Sequence, residues 1–144
     1  MSTYQISCTV GTSDPTAPLG LEVWVDDLQL CDIPHVVDKM PLTFAVEETE
    51  GPHELRFVMK NKTTEHTVID SEGAIVKDAV ITINDVAFDD IKLAQVFIDY
   101  AEYTHNFNGT KLSTVDKFYG QMGCNGAVSL KFATPVYLWL LENM

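Results

Sequence analysis

Paired carboxylates are the first residues in this sequence whose types and spacing could support chemistry. They occur at Asp26-Asp27, Glu47-Glu48 and Asp89-Asp90. Acid/base cleavage of a glycosidic bond needs two carboxyl groups that face each other across a cleft. Neighbouring side chains of a strand point to opposite faces, so these pairs do not predict such a mechanism. Turns and solvated strand ends explain the pairs more simply.

The histidines and cysteines form no recognisable metal or nucleophile motif. No His-x-x-x-His pair exists among the four histidines, which are His35, His53, His66 and His105. The odd number of cysteines and the lack of Cys-x-x-Cys spacing predict reduced thiols, without disulfides or structural zinc, at Cys8, Cys31 and Cys124. We therefore predict that the protein is not an enzyme. A hydrolase with an unfamiliar site is the remaining catalytic alternative.

Aromatic side chains are the candidates for a binding surface. Flat rings stack on the apolar faces of sugar rings, so an exposed Trp or Tyr near a loop marks such a surface. Trp24 lies on the face opposite Leu21, Val23 and Val25, which the alternation of its strand predicts to be polar. A second candidate patch consists of Tyr100, Tyr103 and Phe107, beside an Asn-Gly turn. Burial in a core or an interface is the alternative for all of these rings.

The charge of the chain excludes some classes of partner. Acidic side chains number 21 and basic ones 9, which gives a formal net charge of −12. Residues 1–90 hold 17 acidic and 5 basic side chains, whereas residues 91–144 hold 4 of each. Such a surface repels phosphate backbones and anionic lipid headgroups, so we expect neither nucleic-acid nor membrane binding. The carboxylates are interpreted either as a solvated surface or as ligands for a cation such as calcium.

The length and the termini suit a single folded domain. With 144 residues, of which 46% are hydrophobic, the chain can bury a core without disulfides or metals, and we expect one domain over residues 1–144. Its first residues lack the basic and apolar regions of a signal peptide, and no apolar run approaches the ~20 residues of a membrane-spanning helix. We expect synthesis and assembly in a cytoplasm.

Period-two alternation of apolar side chains predicts the elements that must position these residues. The alternation recurs in Tyr4 to Val10, Leu21 to Val25, Leu42 to Val46, Leu55 to Met59 and Val128 to Phe132. A two-residue hairpin turn is expected at Asp26-Asp27, because aspartate tolerates left-handed backbone conformations. Eight to ten short strands with little helix predict an all-β protein, an antiparallel β-sandwich of jelly-roll type. A closed barrel is the alternative.

Three segments are harder to assign. Residues 61–78 are polar and irregular, and we expect loops at a sheet edge. Residues 91–103 fit both helical and strand spacing, and their Phe, Ile and Tyr content favours a strand. The apolar run at 136–141 does not alternate and needs cover on both faces. We predict a C-terminal strand that anchors the fold or forms an assembly interface through Val136, Tyr137, Leu138 and Trp139.

Three strand segments carry a further pattern. They are the hairpin strand at 21–27, the Gly-x-His strand at 51–58 and the later strand at 80–86. This stretch resembles the calcium-dependent xylan-binding modules, a family of carbohydrate-binding modules with a β-sandwich fold. The resemblance implies a non-catalytic protein, with polysaccharide as its partner and calcium as its cofactor. Where those modules carry an Asp-Arg-Asn-type calcium segment, this chain has Ile69 to Asp78, and the predicted calcium ligands are Asn61, Asp70, Glu72 and Asp78.

The chain from Ile81 to Met144 carries a different set of segments. Asn-Asp-x-x-x-Asp-Asp begins at Asn84, and Tyr-Thr-His-x-Phe-Asn-Gly-Thr begins at Tyr103. Phe-Tyr-Gly-x-Met-Gly-Cys-Asn-Gly begins at Phe118, and the chain ends in Pro-Val-Tyr-Leu-Trp-Leu-Leu-Glu-Asn-Met. These segments resemble small proteins of tailed cyanobacterial phages. The resemblance implies a location on the virion, or in the host cytoplasm during assembly, with other virion proteins as partners.

Two functions are therefore predicted. The first is a non-catalytic, carbohydrate-binding β-sandwich protein of a cyanophage that is associated with the virion. The second is a purely structural protein, which decorates a capsid, tail or fibre or assembles into a homo-oligomer without a ligand.

Overall fold

Two antiparallel sheets packed against each other form the architecture of the protein. The computed structural model describes residues 3–37, 39–62, 67–69, 71–72, 75–105, 112–123 and 125–144. Their elements, in chain order, are β1 (Thr3–Thr12), β2 (Gly20–Val25), β3 (Leu28–Ile33), β4 (Met40–Glu47), β5 (Gly51–Lys60), β6 (Thr67–Ile69), β7 (Ile75–Asp78), β8 (Ile81–Phe88), β9 (Ile91–Lys92), α1 (Gln95–Tyr100), β10 (Glu102–His105), β11 (Thr114–Lys117), β12 (Gln121–Met122), β13 (Gly126–Thr134) and α2 (Val136–Asn143).

The strands are ordered so that neighbours in a sheet are often distant in sequence. The five-stranded sheet has the order β12-β8-β1-β4, with β9 also paired to β8. The six-stranded sheet has the order β11-β10-β13-β5-β2-β3, and β6 and β7 form a separate hairpin. These two open antiparallel sheets confirm the predicted all-β sandwich, and the barrel alternative is wrong.

Alternating apolar side chains of the two sheets form the core between them. In β1 the side chains of Tyr4 and Ile6 are buried, and in β13 those of Leu130 and Phe132 are buried. The ring of Phe132 lies 4.8 Å from that of Phe88, centroid to centroid, and contacts the rings of Tyr4 and Trp139 at 6.1 and 6.3 Å. This aromatic cluster joins both sheets to α2. A second cluster joins α1 to the six-stranded sheet and consists of Phe57, Phe97, Tyr103 and Phe118.

The hairpin predicted at Asp26-Asp27 is confirmed. Strands β2 and β3 pair on either side of it, with Val25 opposite Leu28. Asp26 adopts a φ of 51°, the left-handed conformation that such a turn requires. Its carboxylate accepts a hydrogen bond from the backbone N–H of Glu54, which joins the turn to β5.

The strand predicted over residues 91–103 is wrong in its central part, and the predicted C-terminal strand is wrong. Within 91–103, residues 95–100 form α1, because the chain crosses here from β9 in one sheet to β10 in the other. The C-terminal run forms α2, in which Val136, Trp139 and Leu140 share one buried face at helical i, i+3, i+4 spacing. Lack of alternation therefore signified a helix. Neither helix of the described part of the chain is long and apolar enough to span a membrane.

The prediction of loops over residues 61–78 is also wrong in part. Residues 67–69 and 75–78 form the hairpin of β6 and β7. The hairpin pairs with neither large sheet. The Asn-Gly turn predicted at 106–110 lies outside the described residues.

Candidate functional site

Trp24, the first aromatic candidate, lies on the outer face of the six-stranded sheet and is half-buried. Its indole Nε1 donates a 2.9 Å hydrogen bond to Glu22, whose carboxylate also binds Lys60 at 3.0 Å. The guanidinium of Arg56 lies over the indole ring, 5.7 Å from its centroid. One ring face is therefore in contact with a neighbour of the same chain, and a ligand on that face would have to displace Arg56. A role for Trp24 in sugar binding stays a prediction.

Tyr100 and Tyr103, the other aromatic candidates, do not share a surface with Trp24. Tyr100 lies at the end of α1, with its side chain exposed. Tyr103 points to the core from β10, is only 7% exposed and packs against Phe118 and His105. The structure therefore brings no two of the three rings into one binding face.

The predicted calcium ligands lie in and beside the segment of the β6–β7 hairpin. Asn61 is exposed, with a φ of 72°, and Glu72 is exposed in the β6–β7 turn. Asp70 and the side chain of Asp78 lie outside the described residues. Within the described part of the chain, no three His, Cys, Asp or Glu side chains are grouped closely enough to hold a metal ion. The calcium ligands stay a prediction.

The cysteines are positioned as structural residues. Cys8 is buried in the core and Cys31 is half-buried, and both are free thiols. Burial raises the pKa of Cys8 to about 12 and also raises that of Cys31. Thiols of such high pKa are poor nucleophiles at neutral pH. Cys124 lies outside the described residues.

A cleft with a polar rim lies between β8, α1 and the segment before β12. It encloses about 400 Å³, and its apolar floor is formed by the buried side chains of Ile83, Val86 and Phe97. At the rim, the ring of Tyr119 is 74% exposed. Phe118 and Met122 are buried on either side and anchor this segment, so Tyr119 between them faces solvent. The cleft combines an exposed ring with an apolar floor, as small-molecule sites do. We call it the β8–α1 cleft.

Polar side chains complete the rim of the β8–α1 cleft. Asn84, Asp85 and Gln95 are exposed there, and Asp85 forms an ion pair with Lys92 at 3.6 Å. These groups offer both hydrogen-bond donors and acceptors, which is what vicinal hydroxyl groups require. Asp85 and Ala94 have positive φ angles of 56° and 49°. Such backbone conformations are unfavourable for residues other than glycine and concentrate at binding sites.

Sequence reasoning missed the β8–α1 cleft. Tyr119 follows no strand periodicity, and Gln95 lies in a segment for which a strand was predicted. Asn84 and Asp85 were noticed only as parts of the segments that carry the two family resemblances, and not as binding residues. The one usable signal was Tyr119-Gly120, an aromatic residue beside a glycine that adopts a φ of 101°. That pattern marks a turn that can present a ring to solvent.

His53 of β5 joins two turns at one end of the sandwich. His53 Nδ1 lies 2.6 Å from Oδ2 of Asp26, and Nε2 lies 2.6 Å from the carbonyl oxygen of Thr49. A carboxylate and a carbonyl can only accept hydrogen bonds, so both ring nitrogens must donate and the imidazole is protonated. Burial lowers the pKa of His53, but the bonds to Asp26 and Thr49 outweigh this and raise it above its ordinary value.

This arrangement predicts that alkaline pH weakens the fold. The folded pKa of His53 lies above the unfolded value of about 6.5, so its contribution to stability is complete below that pH and is lost as pH rises through the folded pKa. The expected loss in the free energy of unfolding is roughly 1 kcal/mol. Urea denaturation over this pH range measures it. The variant His53→Gln separates this effect from the titration of the other histidines. If the stability of that variant depended on pH in the same way as that of the unaltered protein, the effect could not be assigned to His53.

Comparison with known proteins shows a likeness of fold. No protein-family model matches the sequence, and no curated protein matches it at a significant level. Among solved structures, the chain is similar to the selenomethionine form of vCBM60, which comes from work on two families of calcium-dependent carbohydrate-binding modules. The TM-score is 0.58 and the sequence identity is 12%, over 88% of this chain and 89% of that one. The complex of vCBM60 with galactobiose has a TM-score of 0.52 and 12% identity, over 88% of this chain and 96% of that one.

At 12% identity, these matches establish the fold and nothing finer. They bear out the fold that the resemblance to carbohydrate-binding modules implied, which is a β-sandwich.

Proposed function

We propose that this protein binds carbohydrate without modifying it, and that the ligand lies in the β8–α1 cleft. The observation that carries the proposal is the exposed ring of Tyr119 at the rim of a cleft whose other rim groups are two amides and an ion pair. A sugar ring could stack on Tyr119 while its hydroxyl groups bind Asn84, Asp85 and Gln95. The vCBM60 likeness supports a binding module as the function of such a fold.

The charges favour a neutral sugar chain as the ligand. Asp85 and Lys92 at the rim neutralise each other, which leaves no free cation among the described residues that line the cleft. The net charge of −12 repels sulfated and uronic-acid polysaccharides. We therefore expect retention on neutral algal or bacterial polysaccharides and little retention on anionic ones.

The variant Tyr119→Ala should lose most of this binding. Truncation of a central aromatic residue of a binding site commonly costs about 2 kcal/mol, which corresponds to a roughly 30-fold rise in Kd. Affinity electrophoresis measures the change on each polysaccharide that retains the unaltered protein. Tyr119 is exposed, so the variant should fold normally, and a circular dichroism spectrum checks this.

Tyr100→Ala is the matched control. It removes the same side chain from an exposed position on α1 that does not line the cleft, so its affinity should equal that of the unaltered protein. If carbohydrate binding were lost in Tyr100→Ala or Trp24→Ala and retained in Tyr119→Ala, the binding site would instead include the aromatic residues predicted from the sequence. No retention on any neutral polysaccharide would contradict the proposed function.

The same assay tests calcium as a proposed cofactor. Retention that is lost in chelator and restored by calcium would support the ligand set of Asn61, Asp70, Glu72 and Asp78. Retention that is equal in calcium and chelator would leave carbohydrate binding to the cleft residues alone.

We also propose that the protein is carried on a phage particle, where it would attach the particle to a polysaccharide surface. The phage-like segments between Ile81 and Met144 support this setting. Mass spectrometry of purified particles should then find this chain among their proteins.

A further inference from the structure

An apolar surface covers the outward side of α2. It consists of Ile91, Tyr137, Leu138, Leu141 and Met144, and we call it the α2 patch. Leu141 is 78% exposed and Tyr137 is 55% exposed. Between them and Ile91 lies a groove of about 310 Å³, floored by Leu140. This groove lies apart from the β8–α1 cleft, because the two are lined by different residues.

The composition of α2 differs from that of an ordinary surface helix. One face is buried through Val136, Trp139 and Leu140. The opposite face of such a helix normally carries polar and charged residues. Here that face presents Leu138 and Leu141, and within the helix only Glu142 is charged. Apolar groups that are gathered on one surface mark a site of protein contact.

The rim of the α2 patch is acidic. Asp89 and Asp90 form the turn that directly precedes Ile91, which lines the groove, and the side chain of Asp90 is exposed. Interaction with Asp89, together with the negative charges of Glu48 and Asp90, raises the pKa of the Tyr137 hydroxyl group. Lys92, which follows Ile91 in β9, pairs with Asp85 at the β8–α1 cleft on the other side of the strand.

We propose that the α2 patch binds a partner protein through an amphipathic segment that carries lysine or arginine beside its apolar side chains. The apolar side chains of that segment would occupy the groove, and its cations would face Asp89, Asp90 and Glu48. A second copy of this chain does not fit, because two acidic rims would face each other on molecules of net charge −12. Charge complementarity therefore selects a basic partner.

Two synthetic helical peptides with the same leucine stripe test the proposal. One carries lysine on either side of the stripe, and the other carries glutamate at the same positions. Fluorescence polarisation of the labelled peptides should show that the lysine peptide binds at least tenfold more tightly. Its affinity should fall as salt rises, because exposed charges are screened.

Variants locate the binding to the α2 patch. Leu141→Ser should lower the affinity for the lysine peptide at least tenfold. The double variant Asp89→Asn, Asp90→Asn should reduce the difference in affinity between the lysine and glutamate peptides. Leu112→Ser is the matched control, because Leu112 is as exposed as Leu141 but lies outside the patch, and it should change nothing.

Three outcomes would overturn the proposal. The first is equal binding of the two peptides, and the second is binding of neither peptide. The third is a concentration-dependent dimer, seen by sedimentation, that Leu141→Ser abolishes, since it would show that the occupant is a second copy.

Discussion

Replacing Trp139 with alanine should lower the free energy of unfolding by about 3–5 kcal/mol, the usual cost of truncating a buried tryptophan. The indole of Trp139 packs against Phe88 and Phe132, with ring centroids at 5.9 and 6.3 Å. Its loss leaves a cavity between α2 and the two sheets. Because small domains unfold with a total of about 5–15 kcal/mol, the variant should lose a large part of its stability. Urea denaturation followed by circular dichroism measures the change.

Leu138→Ala is the control for this prediction, since Leu138 is the preceding residue of the same helix and points to solvent. It should change the free energy of unfolding by less than about 0.5 kcal/mol. Equal effects of the two substitutions would contradict the assignment of Trp139 to the core. The two substitutions also separate the two roles that were predicted for this segment, which are anchoring the fold and forming an interface. Val136 and Trp139 are buried, whereas Tyr137 and Leu138 are exposed. Whether the exposed pair forms an interface stays a prediction.

Replacing Gly126 with alanine should cost about 3 kcal/mol, at the upper end of the range for overpacking. A Cβ atom at Gly126 would lie only 2.3 Å from the carbonyl oxygen of Thr104 and 3.0 Å from Cβ of His105. Gly126 pairs with His105 of β10 on one side and with Met59 of β5 on the other. The oxygen belongs to the backbone, so relief requires that β10 and β13 move apart.

The matched control for that substitution is Gly123→Ala. Apart from its chain neighbours, no atom of the described residues lies within 4 Å of a Cβ atom built at Gly123, so this variant should retain the stability of the unaltered protein. The shift of the urea midpoint reports both variants. A midpoint for Gly126→Ala that equals that of Gly123→Ala would show that the β10–β13 pairing is looser than the structure indicates.

The strands of the sandwich could be predicted because each large strand has one buried face. In β1 and β13 the buried side chains recur at every second residue, so the apolar pattern fixes both the strand and its inward face. The hairpin at Asp26 was predictable for a local reason, since its turn needs a residue that tolerates positive φ.

The helices were less predictable because each is short. Six residues in α1 give fewer than two turns, and over so short a length helical and strand spacing can both be fitted to the same aromatic residues. In α2 the exposed side chains are apolar as well, so no polar face marks the helical period. Both segments form helices because of how the chain connects the two sheets, and that connectivity is not a local property of the sequence.

The candidate site was not predictable from the chain because its parts are distant in sequence. Asn84 and Tyr119 approach each other because the N–H of Ile83 donates a 2.9 Å hydrogen bond to the carbonyl oxygen of Gly120. By contrast, Trp24 was identified as a candidate from its strand pattern alone. In the structure, its indole N–H is hydrogen-bonded to Glu22 and its ring is covered by Arg56.

The strand order of the two sheets has a consequence for the rate of folding. Met59 pairs with Gly126 in one sheet, and Ile6 pairs with Phe88 in the other. Each pairing must close a long loop before its contacts can compensate for the lost chain entropy. Sheets built from such distant strands fold on the order of milliseconds to seconds. Until β13 pairs with β5, one edge of β5 is unpaired and can pair with a strand of another chain. Misassembly therefore competes with folding when the newly made protein is abundant.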